Sequence, residues 1–331
     1  MTFRPAFLLG GPHRQTLWPK LFRRHPIVPV TPERVPTPDG DVLEVDFLPH
    51  RPGAPGVVVL HGLESRARTR HVRSLLARVD ELGWNGAALN FRWAGKAPHS
   101  KPATWKSGDP HDVAHLLRVL RERWPGSRLG AAGFSLGGSV ILRYLGEEGG
   151  AATLDCAVTI SAAYDFAACA GAIDAPGFWP SFYRKRLLKS LKRKALATAE
   201  RFPGTLDARA VEGVRSIREF DERVTAPLNG AASAEEYWAR TSAGPVLGAI
   251  RVPVLLVNAE DDPFVPASSI PRATIAANPA LTLMTTPTGG HMAFIAGTPW
   301  KPVYVAERAA IAFLTEKLGA AESSRARAAA V

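Results

Sequence analysis

The chain has 331 residues, 46% of them hydrophobic, and 41 Lys and Arg against 30 Asp and Glu give a formal charge of +11. That length carries a large core; no apolar run reaches the roughly 18 residues that span a bilayer, and the start Met1-Thr2-Phe3-Arg4-Pro5 has no apolar stretch of a secretory signal. Two cysteines, Cys156 and Cys169, are too few for a disulfide framework and fit a reducing cytoplasm.

In chain order, residues 1–32 read as a proline-punctuated, irregular extension. Residues 42–48 read as an early strand and 57–60 as a buried β-branched strand. Residues 70–82 form a helix that stops at Gly83. A strand follows at 87–91, then a helix at 109–124 with an acidic first turn. Next come a strand at 129–132, a helix over 139–145, and strands at 154–160, 252–257 and 281–284. A closing helix runs over 303–318, and the small polar tail from Ala320 is expected to fray. Alternating strands and helices predict an α/β fold with a mostly parallel sheet covered on both faces. The alternation breaks between Ala163 and Pro245, a helical, aromatic-rich stretch (Phe178, Trp179, Phe182, Tyr183, Phe220, Tyr237, Trp238) that reads as a cap over the carboxyl edge of the sheet.

Gly133-Phe134-Ser135-Leu136-Gly137 stands between the predicted strand and helix. This is the context of a nucleophile elbow, in which a strained serine presents its hydroxyl at a strand end and glycines on either side avoid collisions. A serine nucleophile needs a histidine to take its proton and a carboxylate to orient that histidine. Glu260, Asp261 and Asp262 follow one strand and His291 follows the next, in the order serine, acid, histidine. Asp262 is favoured because it lies three residues before Val265-Pro266, with Asp261 next; the unused neighbour is expected to cap a turn. Of nine histidines, His291 alone follows the acids. The turn His61-Gly62-Leu63 follows the 57–60 strand, so the backbone N–H groups of Leu63 and Leu136 are the candidate oxyanion donors. No His or Cys spacing suggests a metal.

The run from Tyr183 to Lys194 sets Leu187, Leu188 and Leu191 at helical spacing, with basic residues between them. It reads as a solvated amphipathic helix, or as a basic surface for anionic membrane spanning residues 184–194, with Lys189, Lys192 and Lys194 as contacts. No nucleic-acid motif accompanies the charge.

Taken together in order, His61-Gly62-Leu63-Glu64, Asn90-Phe91-Arg92, Gly133 to Gly138, Asp261-Asp262-Pro263-Phe264 and Gly289-Gly290-His291 resemble the YheT-like branch of the α/β-hydrolase superfamily. Gly10-Gly11-Pro12-His13-Arg14-Gln15-Thr16 resembles that branch's N-terminal Gly-x-x-Gln-Thr element. Arg218-Glu219-Phe220-Asp221-Glu222, with Thr225-Ala226-Pro227, resembles its cap signature. The resemblance spans roughly residues 7–315. Trp93 stands where the branch continues with glycine, and Ser65-Arg66 where it often has Gly-Ser. The resemblance implies an α/β-hydrolase fold; with the break in alternation and the composition of the tail, the chain divides into a core over 33–162 and 246–319, a cap over 163–245 and a flexible tail over 320–331. It implies a Ser135, Asp262, His291 triad and esterase or lipase-like action on an apolar acyl ester or lipid, with no cofactor. Acyl transfer on the same triad and non-catalytic acyl binding are the alternatives.

Overall fold

Consecutive side chains of a strand point to opposite faces of its sheet, so a strand that is apolar throughout must be covered on both sides. The run Val57-Val58-Val59-Leu60 is of this kind. In the computed structural model, which describes residues 3–94, 100–102 and 110–328 (side chains to 319), all four are buried. Val57 and Val59 join one core, and Val58 and Leu60 the other.

The elements in order are α1 (Pro12–Phe22), β1 (Thr31–Pro36), β2 (Val42–Phe47), β3 (Gly56–Leu60), α2 (Arg70–Glu81), β4 (Asn85–Asn90), α3 (His111–Arg123), β5 (Leu129–Phe134), α4 (Leu136–Glu148) and β6 (Cys156–Ile160). A helical insertion follows: α5 (Phe166–Asp174), α6 (Phe178–Arg201), α7 (Ala208–Gly213), α8 (Ile217–Phe220), a π-helical turn (Asp221–Thr225), α9 (Ala226–Leu228) and α10 (Ala234–Thr241). The chain closes with β7 (Val254–Ala259), α11 (Arg272–Ala277), β8 (Leu281–Thr286), β9 (Ile295–Thr298), β10 (Lys301–Tyr304) and α12 (Val305–Ala328).

Eight strands form one sheet in the order β1-β2-β4-β3-β5-β6-β7-β8. Pairs β1/β2 and β2/β4 are antiparallel and the rest parallel, as the alternation predicts. Val72, Leu75, Leu76 and Val79 of α2 pack with Ala306, Ala310 and Leu314 of α12 on one face. Val113, Leu116, Leu117 and Leu120 of α3 pack with Val140 and Ile141 of α4 on the other. The register sets Leu60 beside Gly133 and Phe134 beside Ile160, so the loops after β3, β5, β6 and β7 leave from one edge.

Four readings change. Residues 1–32 are not irregular throughout: they hold α1 and the start of β1. The apolar periodicity that marks a helix is weak in α1 because its buried residues are Gln15 and Thr16. The helix after Ser135 starts at Leu136 rather than 139. The closing helix starts at Val305, because Val303 and Tyr304 pair with β9 in a short antiparallel ribbon. Beyond residue 319 the backbone continues α12 to Ala328 instead of leaving the helix; the rest of the proposed tail, 329–331, and Asp109 at the head of the predicted 109–124 helix lie outside the described residues.

Candidate active site

Ser135 sits between β5 and α4 with φ 52° and ψ −120°, a conformation that costs a non-glycine residue of order 1–3 kcal/mol and persists only where the surroundings enforce it. The enforcement is visible. Ser135 N–H donates to the Ile160 carbonyl at 2.8 Å, and the Ser139 N–H donates to the Ser135 carbonyl at 3.1 Å. A Cβ on Gly133 would stand 2.5 Å from the Gly138 nitrogen, and one on Gly137 would stand 2.6 Å from the Leu60 and His61 carbonyl oxygens. Both flanking glycines are therefore required by close backbone approach.

The three loops after β5, β7 and β8 meet. Ser135 Oγ lies 3.0 Å from His291 Nε2. His291 Nδ1 lies 2.8 and 3.0 Å from the two oxygens of Asp262. A carboxylate only accepts, so Nδ1 carries the proton toward Asp262 and Nε2 is left to accept from the serine hydroxyl. Asp262 Oδ1 also accepts from the N–H groups of Phe264 and Val265, at 2.8 and 3.2 Å, which fixes the carboxylate against rotation.

The competing acids separate cleanly. Asp261 accepts from the Gly290 N–H at 2.8 Å, a turn-capping bond. Burial raises its pKa. Glu260 points outward and pairs with Arg272 at 3.0 Å.

Several positioning residues escaped the sequence reading. Gln15 is buried in α1; its amide donates to the Leu9 and Ile295 carbonyls, and its oxygen accepts from the Ile295 N–H at 2.6 Å. Thr16 Oγ1 accepts from the His291 N–H at 3.0 Å, and Ser161 Oγ from the Met292 N–H at 3.0 Å. The histidine loop is thus held from two sides. Gln15-Thr16 carried a family signal but no role; Ser161 carried none.

The turn after β3 is braced in turn. His61 is fully buried, accepting at Nε2 from the Phe91 N–H (3.2 Å) and donating at Nδ1 to the Gly62 carbonyl (2.8 Å). Burial lowers its pKa to about 4, so its imidazole is a neutral strut. Arg92 binds Asp39 and Asp112, which ties down the chain after β4.

Ser135, His291, Leu63 and Leu136 line one cavity of about 990 Å³. Its lining from the insertion is mainly apolar, with Ile173, Ile217, Phe220 and Trp238 all under 9% exposed. Cys169 also lines it, with burial pushing its thiol pKa up and away from thiolate chemistry. Of the lysines read as membrane contacts, Lys189 makes no bond among the described residues, and the other two are engaged internally. Lys194 pairs with Glu64 at 2.9 Å, and Lys192 donates to the Glu212 and Val214 carbonyls. Among the described residues no group of three or more His, Cys, Asp or Glu could hold a metal, and no helix is long and apolar enough to cross a membrane.

The α/β hydrolase fold family matches residues 55–298. The chain is similar to YheT of Escherichia coli, 34% identical over 307 residues that cover 91% of this chain and 89% of the relative. It is 29% identical to the phospholipase ABHD3 of Mus musculus, over 89% of this chain and 74% of that one. Among solved structures, the esterase Pf2001 of Pyrococcus furiosus shares the fold at TM-score 0.55 and 16% identity, covering 96% of this chain and 98% of that chain. The chain belongs to the α/β-hydrolase superfamily, in its YheT-like branch.

Proposed function

We propose that this protein hydrolyses carboxylic esters through an acyl-enzyme, with Ser135 as nucleophile, His291 as general base and acid, and Asp262 orienting His291. The observation that carries the reading is the unbroken line of hydrogen bonds Ser135–His291–Asp262 at the wall of a cavity whose lining is mainly apolar under the insertion. Residues 163–245 act as a cap over a core formed by 33–162 and 246–319. The phospholipase activity in the name of one relative supports an ester substrate.

In this reading the acyl chain lies under the cap. Ser135 Oγ attacks the carbonyl carbon as its proton passes to His291 Nε2. The imidazolium is stabilised by Asp262. The N–H groups of Leu63 and Leu136 hold the oxygen that becomes negative, at the moment when charge appears. His291 then protonates the leaving alcohol. Water gives His291 a proton and attacks the acyl-enzyme, and the proton returns to Ser135 as the acid departs.

The test is labelling with a fluorophosphonate, followed by peptide mapping, alongside turnover of a p-nitrophenyl ester. Adduct on Ser135, and its loss in Ser135→Ala with turnover down by roughly 10⁴-fold or more, is the expected result. Full turnover in that variant would overturn the assignment. Free acid as the product in the presence of an added alcohol distinguishes hydrolysis from acyl transfer.

A further inference from the structure

The cavity that holds Ser135 has two unlike ends. The end under the cap is lined by buried and mainly apolar residues, with Asp221 and Thr225 among them. The open end is bordered by Lys20 from α1, Arg66 from the loop after β3, and Arg186, Lys189 and Arg193 from α6. All five are exposed. They come from three separate stretches of chain, so no single basic run accounts for their meeting.

The chain's excess of 41 basic over 30 acidic residues leaves some cations without a carboxylate, and what marks these five is that they gather at one cavity. Elsewhere several arginines sit against acids, Arg51 on Asp80, Arg78 on Glu81, Arg123 on Glu33 and Arg272 on Glu260, while others, such as Arg14 and Arg251, bond backbone carbonyls. Two other basic residues of the same cavity are matched, Arg23 by Glu307 and Arg68 by Asp46, and Arg70 donates to the Lys20 carbonyl. Glu64, an acid at this border, is taken by Lys194. By contrast Lys20, Arg66, Arg186, Lys189 and Arg193 have no carboxylate partner among the described residues. Lys20 has its pKa lowered by desolvation and by the charge of Arg186. Like charges gathered at a cleft raise its potential, and an anion is the species that relieves it.

We propose that this border is an anion subsite, and that the substrate carries a monoester phosphate on the alcohol or thiol side of its acyl bond. This rests on the reading of Ser135 as nucleophile. The mainly apolar end under the cap takes the acyl chain, which leaves the departing group facing the open end. A phosphate monoester carries about −1.5 to −2 charges at neutral pH and three acceptor oxygens, which suits several cations better than a single carboxylate does. A zwitterionic head would set its own cation against the five. Hydrolysis adds water across the acyl bond, so the fatty acid and the phosphorylated alcohol or thiol are the two products, the latter leaving directly to solvent.

The experiment compares kcat/KM for four substrates with one acyl chain: octanoyl glycerol (neutral), octanoyl glycerol phosphate, octanoyl glycerophosphocholine, and octanoyl-coenzyme A. Wild type, Arg186→Glu/Lys189→Glu and Arg186→Lys are assayed, and fluorophosphonate labelling of Ser135 is followed in each. The expected result is a preference of about tenfold or more for one of the two monoester-phosphate substrates over the neutral and zwitterionic ones, shrinking as salt is raised. The charge-reversed protein should lose that preference ratio and Arg186→Lys should keep most of it. A preference for octanoyl glycerol phosphate points to a lipid headgroup, and one for octanoyl-coenzyme A to a soluble thioester. Equal kcat/KM for all four, or a ratio unchanged by charge reversal, overturns the subsite while labelling of Ser135 persists. Absence of labelling in folded wild type instead overturns the serine-hydrolase reading on which it rests.

Discussion

Single atoms decide the candidate site. Gly290 has φ +58°, and a Cβ there would stand 2.5 Å from the Pro12 carbonyl oxygen and 2.8 Å from Thr16 Oγ1. Gly290→Ala must push α1 away from the histidine loop, and a shift of about 1 Å at a reacting group costs on the order of 10²-fold in rate. A fluorophosphonate labelling rate lowered by about that factor, in a protein that still folds, is the expected outcome. The two aspartates give a second prediction. Asp262→Asn supplies an amide that favours the wrong tautomer of His291, so kcat should fall by about 10⁴-fold. Asp261→Asn keeps an oxygen that accepts from the Gly290 N–H and should fall far less. A reversed ranking in steady-state assays would move the acid to Asp261. The order serine, acid, histidine was legible because strands and glycines mark the loop tips. Which of two adjacent aspartates faces His291 depends on the turn geometry after β7, and a local phrase such as Val-Pro indicates this only indirectly.

At the level of elements, α1 is the part least visible in sequence. It has two prolines and buries amide and hydroxyl groups, so neither propensity nor apolar periodicity marks it. It forms because packing on the histidine loop satisfies backbone groups that would otherwise be stranded. Gln15→Leu should therefore leave the Ile295 N–H unpaired and destabilise by about 1–3 kcal/mol, read as a lower urea midpoint. The far end of α1 is anchored just beyond its last turn, where Arg23 meets Glu307 of α12 at 2.6 Å with both side chains almost fully buried, and Ser74 donates to the same carboxylate. Glu307→Ala strands a buried guanidinium and should cost about 3–5 kcal/mol in the same measurement. The β9–β10 ribbon was missed for a related reason. Its strands have four residues each, too few for alternation to stand out against the helix that follows.

For the whole molecule, pH stability reports on the insertion. Asp221 keeps part of its surface exposed, yet its carboxylate is turned inward, accepting from Trp238 Nε1 at 2.8 Å and Thr225 Oγ1 at 2.7 Å. Burial pushes its pKa up from 3.8 to about 6, against the lowering effect of those two bonds and with a further raising contribution from Asp174. Below pH 4 the carboxyl is protonated in both folded and unfolded chains. Between pH 4 and 6 the unfolded chain has released the proton and the folded one still holds it. Stability then falls as pH rises, and above 6 the whole cost is present. Asp221→Asn should abolish this fall, making the variant's stability relative to wild type climb by on the order of 2 kcal/mol across that window in thermal melts. A variant that tracks wild type at every pH would mean that Asp221 ionises freely in the folded state.

The sequence by itself determined the layered α/β architecture and the order of the loops that carry Ser135, Asp262 and His291. Strand and helix periods are local, and close backbone approach permits only glycine beside the serine. The tertiary structure alone decided what lies far apart in the chain: α1 holding the His291 loop across 275 residues, the sorting of Asp261 from Asp262, and the cations that collect at the open end of the cavity. Those contacts arise from packing and unsatisfied polar groups, and a one-dimensional pattern carries no distance between them.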